Sequence, residues 1–428
     1  MKLLFFPMDG HGHVNSCLGL ARMLRDFGHE SVFAVPKNWS VLITGHKFPL
    51  EFIADPENAN SSQDPLYRWA EVVRACAPSF AKTPSEQIVD LYANDTKEFV
   101  DYVKRIDDQV TSVIEKVDPD LIVIDFYVTV PAVIKSGKPW LLLYSANPLF
   151  AYDAPNTPPR YSGLGATDDP KLFQEFRALV KREIVELKTD FDAYLKTKGV
   201  EPHPIDLVAI SPYLNLYSYP EDLDYTELPK PEKWFRVDHM VREAEEDATD
   251  FDESFFKTDD KVILFSLGSM GSADVTLMKK LLAIMSASKH RFIVSKGPYH
   301  NEIQLYDNMI GGKYLPQIKI LPKVDLVITH GGNNTFIESL YFGKPCIVLP
   351  LFGDQHDNAR RAVDKKIGKA FSPYHVTDKE LLGGIDDILN DKEMIQRVQD
   401  IGEKIRSTKT HAKLSEHLVK MVQELKAN

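Results

Sequence analysis

Two short apolar runs with a helical pattern between them define one unit in the second half of the chain. Residues 325–330 and 346–352 are dominated by β-branched and aliphatic side chains, which is typical of parallel strands buried on both faces. Residues 335–342 follow helical spacing, and Gly343 and Pro345 end that pattern. The stretch therefore predicts a strand–helix–strand unit of a parallel α/β sheet.

Residues suited to a nucleotide sugar stand where these predicted strands give way to loops. Gly331 and Gly332 let the backbone approach a ligand closely. The free N–H groups and the dipole of the following helix favour an anion, above all a phosphate. Glu338 lies one helical turn further on, where its carboxylate could accept two ribose hydroxyls, and Tyr314 offers a flat face to a base. An aromatic ring, a phosphate cradle and a ribose acid together indicate a nucleotide-sugar site.

The same stretch resembles the donor-binding signature of the family 1 UDP-glycosyltransferases. That signature runs W-x-P-Q, T-H-x-G-x-N-S/T-x-x-E, G-x-P and P-x-x-x-D-Q, and the chain matches it in register from Pro316 to Gln355. Tyr314 replaces the usual Trp, and Asn333 replaces the bulky residue common in plant members. The resemblance is closer to soluble bacterial-type members that act on macrolides and other lipophilic small molecules. It implies donor contacts from Tyr314, Gln317, His330, Gly332, Asn334, Thr335, Glu338, Asp354 and Gln355.

The resemblance also implies an α/β fold of the GT-B type, in which two Rossmann-like domains with parallel sheets face each other across a cleft. We expect an acceptor-binding domain at residues 1–235, a linker at 236–255 and a UDP-sugar-binding domain at 256–408. The final segment, 409–428, is expected to pack as a helix on the first domain. The acidic run 243–252 is most simply a solvated surface segment.

The N-terminal βαβ pattern carries the predicted catalytic base. It lacks a dinucleotide fingerprint, since Asn15 stands where G-x-G-x-x-G needs its third glycine. The loop resembles instead the acceptor-side motif G-H-V-N-(P/S) of the family, which assigns the base to His13, with His11 as the alternative. Asp125 ends a buried strand where family members hold an Asp that hydrogen-bonds this histidine; a turn or helix cap is the alternative role.

Contacts to the acceptor are expected from aromatic residues around the first sheet. The proline- and aromatic-rich loop 146–165 is long enough to roof a pocket. Phe126, Tyr127, Phe150 and Tyr152 are the candidates, and ordinary core packing is an equal alternative for each of them.

The remaining pattern predicts further elements of both domains. Ser269 lies in a small-residue turn after a predicted strand at 262–266, where its hydroxyl could donate to a donor phosphate. A helix is expected at 17–27 after a loop, and strands at 207–216 and 319–321.

Composition narrows the class of protein. Of the 428 residues, 43% are hydrophobic and 26% charged, as in soluble globular proteins. The net charge of −11 argues against nucleic acid or an anionic membrane as a partner. Pro7 and Asp9 break the N-terminal apolar run, and no stretch approaches ~18 apolar residues, so neither a signal peptide nor a membrane anchor is expected. With three sparse cysteines, this predicts a cytoplasmic location.

These observations predict an inverting, metal-independent hexosyltransferase that uses UDP-glucose as donor co-substrate and needs no other cofactor. Its acceptor is expected to be a hydroxyl of a phenolic, flavonoid or macrolide-like molecule, and the resemblance implies a role in detoxification. Gln355 favours glucose, because Gln at this position often accompanies glucose in the family. The alternatives are a UDP-sugar-binding scaffold without catalysis and another two-domain UDP-sugar enzyme, such as an epimerase.

Overall fold

The chain builds two parallel sheets, of which the first comes from its N-terminal half. The computed structural model describes residues 1–54, 65–242, 253–256 and 260–427. The strands of the first sheet are β1 Lys2–Pro7, β2 Glu30–Val35, β3 Leu50–Phe52, β4 Leu121–Asp125, β5 Trp140–Tyr144, β6 Leu214–Ser218 and β7 Trp234–Val237. They lie in the order β3-β2-β1-β4-β5-β6-β7, and each neighbouring pair is parallel.

The second sheet comes from the C-terminal half. Its strands are β8 Val262–Ser266, β9 Arg291–Ser295, β10 Met309–Gly312, β11 Leu326–Thr329, β12 Cys346–Val348 and β13 Gly368–Ala370. The order β10-β9-β8-β11-β12-β13 is again parallel throughout. Both sheets run outward in two directions from their first strand, which is the doubly wound arrangement. The predicted fold class, two Rossmann-like domains with a cleft between them, is confirmed.

Helices cover the sheets and supply the elements that carry the site. Within the described ranges they are α1 His11–Arg25, α2 Ser40–Gly45, α3 Pro65–Phe80, α4 Pro84–Gln87, α5 Ala93–Val117, α6 Pro131–Lys135, α7 Pro170–Thr197, α8 Gly268–Gly271, α9 Val275–Ser286, α10 Gln317–Ile320, α11 Asn333–Tyr341, α12 Gln355–Asp364, α13 Asp378–Asn390, α14 Lys392–Arg406 and α15 Thr410–Ala427. A π-helical turn, Ile88–Tyr92, joins α4 to α5.

The central strands are apolar on both faces because helices pack on both sides of each sheet. Along β1, Leu3 and Phe5 pack into the cluster that contains α1, whereas Leu4 and Phe6 pack into the cluster that contains Ile106 of α5. This alternation follows from the two-residue period of a strand. The loops at the carboxyl ends of the strands are therefore the part left free to form a site.

The last helix returns to the first domain. Leu414, Leu418 and Val422 of α15 pack in the same cluster as β1 and α1. His29 Nε2 and Ser415 Oγ lie 2.8 Å apart. Half of the predicted linker, the acidic run 243–252, lies outside the described residues, and the predicted domain boundaries stay predictions.

Three sequence predictions about elements are wrong. Helix α1 begins at His11, not at residue 17, because Gly10 takes an extended conformation as its N-cap and the helix starts at once. The strand predicted at 207–216 begins only at Leu214, since Pro212 has no N–H to give to a strand ladder. The segment 319–321 is helical, and Pro322 lies in the turn that follows.

The sequence pattern did not predict three short strands. Strands β7, β10 and β13 have three or four residues each, too few for a clear period-two pattern. None of the helices within the described ranges is long and apolar enough to cross a membrane.

Candidate active site

A cavity of about 480 Å³ lies between the two domains. Its walls come from the loops after β1, β4 and β5 of the first sheet and after β8, β11 and β12 of the second. These are the carboxyl ends of parallel strands, where ligands bind in folds of this type. Among the lining residues are His13 of the first domain and His330, Asn334, Thr335 and Glu338 of the second.

The wall of the cavity that comes from the first domain is called the acceptor side below. His13 lines it and contacts Asp125. Strands β1 and β4 are neighbours, with Pro7 paired to Asp125, so the first turn of α1 lies above the end of β4. His13 Nδ1 lies 2.9 Å from Asp125 Oδ2, and the carboxylate is fully buried. Neither carboxylate oxygen makes a hydrogen bond of regular geometry in the described part of the chain. The imidazole is therefore the close polar contact through which the buried charge can be offset.

Other contacts fix the His13 ring in place. Ser145 Oγ lies 3.2 Å from Nδ1. The ring of Tyr127 meets the imidazole edge to face, with centroids 4.9 Å apart. With Nδ1 engaged by Asp125 and Ser145, Nε2 is the nitrogen left for an acceptor hydroxyl in the cavity. His11, the alternative base, packs its ring instead on Trp39 at 4.7 Å.

The wall of the cavity that comes from the second domain is called the donor side below. There His330 lies between Gly268 of α8 and Gly332. A Cβ added at Gly268 or at Gly332 would come within 2.4 Å of its ring. The two glycines are thus required for the imidazole to fit at this place. Burial lowers the pKa of His330 to about 4, so the ring is neutral at neutral pH.

The N-terminus of α11 opens onto the cavity beside His330. Gly332 is its N-cap, and within the described residues no side-chain cap is found on the first turn. The free N–H groups and the positive end of the helix dipole form an anion site. Thr335 in this turn and Ser269 in α8 also line the cavity, so the two predicted hydroxyl donors are brought to the same place.

Glu338 is held at the back of the donor side by two other side chains. Gln317 Nε2 donates to its Oε2 at 2.5 Å and to Thr335 Oγ1 at 3.3 Å. Arg242 Nε lies 3.9 Å from Oε1. Burial raises the pKa of Glu338, and the arginine partly offsets that rise. The predicted Gln317 thus orients the carboxylate as well as lining the cavity.

Asn334 and its neighbour Asn333 connect the domains. Asn334 Nδ2 donates to Gly12 O at 2.8 Å, and its Oδ1 accepts from Ser16 Oγ at 2.8 Å. Asn333 Nδ2 donates to Ser145 O at 3.0 Å. The side-chain amide of Asn334 therefore bridges α11 and α1, and it is the N-terminus of α11 that is left for the phosphate.

Asp354 and Gln355 are both partly engaged within the protein. Asp354 Oδ2 accepts from Asn147 N at 2.9 Å, and burial raises the pKa of this carboxyl to about 6. Gln355 Oε1 accepts from Leu351 N at 2.9 Å and from Phe352 N at 3.2 Å. Because its oxygen is occupied, Gln355 can offer a sugar only the N–H groups of its amide.

Tyr314 lines the donor side of the cavity. It is 52% exposed, so much of the residue is accessible. Lys313 Nζ lies 4.8 Å from the ring centroid. The ring is placed to stack on a base at the cavity mouth.

Apart from the His13 motif, the acceptor half of the cavity is mostly apolar and comes from elements that carry no motif. The sequence prediction for its aromatic contacts is correct in placement for Tyr127 alone. Phe126 stacks on Phe6 at 4.7 Å, and Phe150 stacks on Tyr144 at 4.7 Å. Tyr152 donates to Asp224 at 2.9 Å in a buried cluster. These three side chains pack in the core instead of lining the cavity. Core packing was the alternative role given for each of them.

The loop 146–165 joins the cavity wall to the second domain. Tyr161 N and Gly163 N donate to the Asp357 carboxylate of α12 at 2.7 and 2.9 Å. Burial raises the pKa of Asp357 to about 8. Arg160 and Tyr161 of this loop line the cavity.

Several lining residues carry no sequence signal. Trp69, Phe99, Arg160 and Arg242 lie outside every motif, and their types are common in helices and loops. Helical spacing places residues such as Phe99 on one face of α5, but that face cannot be told from a core face by period alone.

The comparisons with known proteins agree with this geometry. Residues 221–403 match the sequence model of the family described as UDP-glucoronosyl and UDP-glucosyl transferase. An uncharacterized UDP-glucosyltransferase, YojK of Bacillus subtilis (strain 168), is 21% identical over 436 aligned residues, which span 99% of this chain and 98% of that protein.

Solved structures share the fold over the whole chain. The glycotransferase of kitacinnamycin superposes with a TM-score of 0.72 at 18% identity, covering 98% of each chain. The glycosyltransferase VinC, solved in complex with DTDP, gives a TM-score of 0.68 at 14% identity and covers 99% of this chain and 100% of its own. Residues 221–403 thus match the sequence model of this family, and the chain as a whole has the GT-B fold of these solved glycosyltransferases.

Proposed function

We propose that the protein transfers a hexose, with inversion, from a UDP-sugar to a hydroxyl of a lipophilic small molecule. One observation carries the proposal: a histidine paired with a buried carboxylate and an uncapped helix N-terminus open onto the same cavity from opposite domains. The first is suited to removing a proton, and the second to holding a diphosphate.

The acceptor hydroxyl is activated at His13. As its oxygen attacks the anomeric carbon, Nε2 takes the hydroxyl proton. The new C–O bond forms while the bond from the anomeric carbon to the phosphate oxygen breaks, and UDP leaves with that electron pair. Attack from the face opposite the leaving group inverts the anomeric centre. Asp125, 2.9 Å from Nδ1, orients the ring and stabilises the imidazolium.

The leaving diphosphate is stabilised on the donor side. The first N–H groups of α11 would bind it, with the hydroxyls of Thr335 and Ser269 beside them. His330 is neutral and can donate one hydrogen bond. Such fixed dipoles favour the charge that grows on UDP in the transition state. No metal ion or further cofactor takes part in this scheme.

The donor we propose is UDP-glucose. Glu338 would accept hydrogen bonds from two ribose hydroxyls, and Tyr314 would stack on uracil; both residues line the cavity. Asp354 and the amide N–H groups of Gln355 would bind sugar hydroxyls. A thymidine diphosphate sugar is the second candidate, because a structural neighbour binds DTDP. A deoxyribose lacks the 2′-hydroxyl, so it would leave one acceptor position of Glu338 unused.

The test is acceptor-dependent release of UDP from UDP-glucose, with UDP-galactose, UDP-N-acetylglucosamine and TDP-glucose in parallel. A panel of phenols, flavonoids and macrolides serves as acceptors. We expect release only when an acceptor is present, with UDP-glucose the best donor. Binding of UDP-glucose without turnover of any acceptor would favour the scaffold alternative. Conversion of the sugar without an acceptor would favour an epimerase. A role in detoxification and a cytoplasmic location stay predictions.

A further inference from the structure

Asp95 is a charged residue in the acceptor half of the cavity that the proposed mechanism does not use. It lies in the first turn of α5, directly after the π-helical turn, and lines the cavity. No hydrogen bond or ion pair to its carboxylate is found in the described part of the chain. The residue is exposed, and it lines the cavity. Its carboxylate is therefore accessible to a charged group of a bound ligand.

The surroundings of Asp95 are apolar and aromatic. Val72 and Cys76 of α3 and Leu91 of the π-helical turn line the same part of the cavity. These apolar neighbours desolvate the carboxylate and raise the pKa of Asp95 to about 6. Burial, and to a lesser degree the Asp95 charge, raises the pKa of the Cys76 thiol.

The neighbouring charged groups of this half are paired, unlike Asp95. Arg160 Nη2 lies 2.9 Å from Asp206 Oδ2 and donates to the Tyr92 hydroxyl at 3.1 Å. The Asp9 carboxylate accepts from Trp39 Nε1 at 2.7 Å. The wall around Asp95 therefore carries an uncompensated negative charge that a ligand can neutralise.

The π-helical turn before α5 is a second feature that favours a binding site at Asp95. A single π-helical turn inside a helix shifts the register of the residues that follow, and such turns are frequent at functional sites. Here the shift comes just before Asp95. Phe99, one turn further along α5, lines the cavity and packs against Trp69 with ring centroids 6.3 Å apart. Aromatic faces beside a carboxylate favour an ammonium group.

We propose that Asp95 forms a cation subsite, and that the acceptor is an apolar molecule carrying a protonated amine away from the reacting hydroxyl. The inference rests on the proposed function and names the acceptor class. Tyr127 links the two ends, since its ring lies 4.9 Å from that of His13 and 6.3 Å from that of Phe99. With one helical turn from Phe99 to Asp95, hydroxyl and amine are separated by less than about 20 Å.

The experiment uses a matched pair of acceptors. One is para-hydroxybiphenyl with a dimethylaminomethyl group on its far ring, and the other carries an isobutyl group there, which has the same shape without the charge. UDP release and direct binding by calorimetry are measured for the wild type and Asp95→Asn. Asp101→Asn, the same charge change on a lysine-paired position of α5, is the control.

For the wild type we expect kcat/KM for the amine to exceed that for the isobutyl compound at least tenfold. Asp95→Asn should remove this preference through KM, leave turnover of the isobutyl compound within about threefold, and weaken binding of the amine in calorimetry. Equal effects of Asp95→Asn on both compounds, or an unchanged preference, would overturn the proposal. If neither compound is turned over, the proposed function fails, but the binding comparison still decides for or against the cation subsite.

Discussion

The two halves of the cavity are built in opposite ways. On the donor side, polar groups converge from one continuous stretch of sequence: an uncapped helix N-terminus, a neutral histidine and an oriented carboxylate. On the acceptor side, apolar surfaces from α3, the π-helical turn and α5 surround one histidine–carboxylate pair. The donor side can bind a ligand through directional hydrogen bonds, whereas the acceptor side mainly encloses an apolar space.

This difference determines which substitutions each half of the cavity can tolerate without loss of function. Directional hydrogen bonds to a diphosphate and a ribose need given residue types at given spacing. An apolar wall needs only volume and shape, so many combinations of side chains can build it. Substitutions at the donor-side residues proposed to bind the ribose and the base should therefore act mainly on donor binding, and those at the His13–Asp125 pair mainly on turnover.

The most severe test of this division is His13→Ala. Loss of the general base should lower kcat by about 10²- to 10⁴-fold. Affinity for UDP-glucose should stay unchanged, because the donor contacts come from the other domain. Steady-state kinetics and a donor titration check both parts. His11→Ala is the matched control and should keep most activity; strong loss in that variant would assign the base to His11.

The second test uses pH on the donor side. His330 has a pKa of about 4 in the folded chain and an ordinary value near 6.5 when unfolded, so the unfolded state binds more protons between these values. Its contribution to the free energy of unfolding should fall by about 3 kcal/mol as the pH drops from 7 to 4. Urea unfolding of the wild type and His330→Gln across this range isolates the effect, and parallel curves would contradict the buried neutral ring.

Asp125→Asn sharpens the account of the catalytic pair. The substitution keeps the shape of the side chain but removes the charge that stabilises the imidazolium. We expect kcat to fall about 10- to 100-fold, which corresponds to about 1.5–3 kcal/mol for a charged hydrogen bond. The affinity for UDP should not change. An Asp125→Asn enzyme with normal kcat would reduce this residue to a structural role.

Glu338→Gln tests the donor side by binding. Hydrogen bonds from the ribose would then reach a neutral amide instead of a carboxylate, which costs about 1 kcal/mol. The KM for UDP-glucose should rise about 5- to 10-fold with little change in kcat. TDP-glucose should be affected less, since it lacks one hydroxyl. Equal effects on both donors would place the ribose elsewhere.

The smallest effect is expected at Tyr314. Tryptophan offers more ring area to a base, so Tyr314→Trp should strengthen UDP binding about two- to fivefold. Tyr314→Ala should weaken it by a similar factor. Calorimetry with UDP measures both, and an unchanged affinity in both variants would show that the exposed ring does not stack on the base.

Local patterns predicted the central strands of both sheets but not the short strands β7, β10 and β13, and the family resemblance supplied the residues expected on the donor side. Apolar runs identify buried parallel strands, and the 314–355 stretch keeps its donor residues within one strand–helix–strand unit. The pairing of β1 with β4 brings His13 to Asp125, and topology could anticipate this since both follow strands of one parallel sheet.

The acceptor side could not be predicted in the same way. Phe126 and Tyr127 are adjacent aromatics after β4, yet one packs in the core on Phe6 and the other lines the cavity. Which of the two faces the cavity depends on the direction in which the chain leaves the strand. The residue types do not indicate that direction. The family motif predicts a donor contact for Asn334, but its side-chain amide bridges α11 and α1 because the domains approach closely there.

The separation of the two halves is tested most directly by titrating UDP into the wild type, His13→Ala and Glu338→Ala. The account predicts one UDP bound per chain, with the same Kd for the wild type and His13→Ala and a Kd at least about tenfold higher for Glu338→Ala. Absence of UDP binding to the wild type, or a loss of affinity in His13→Ala as large as that in Glu338→Ala, would contradict it.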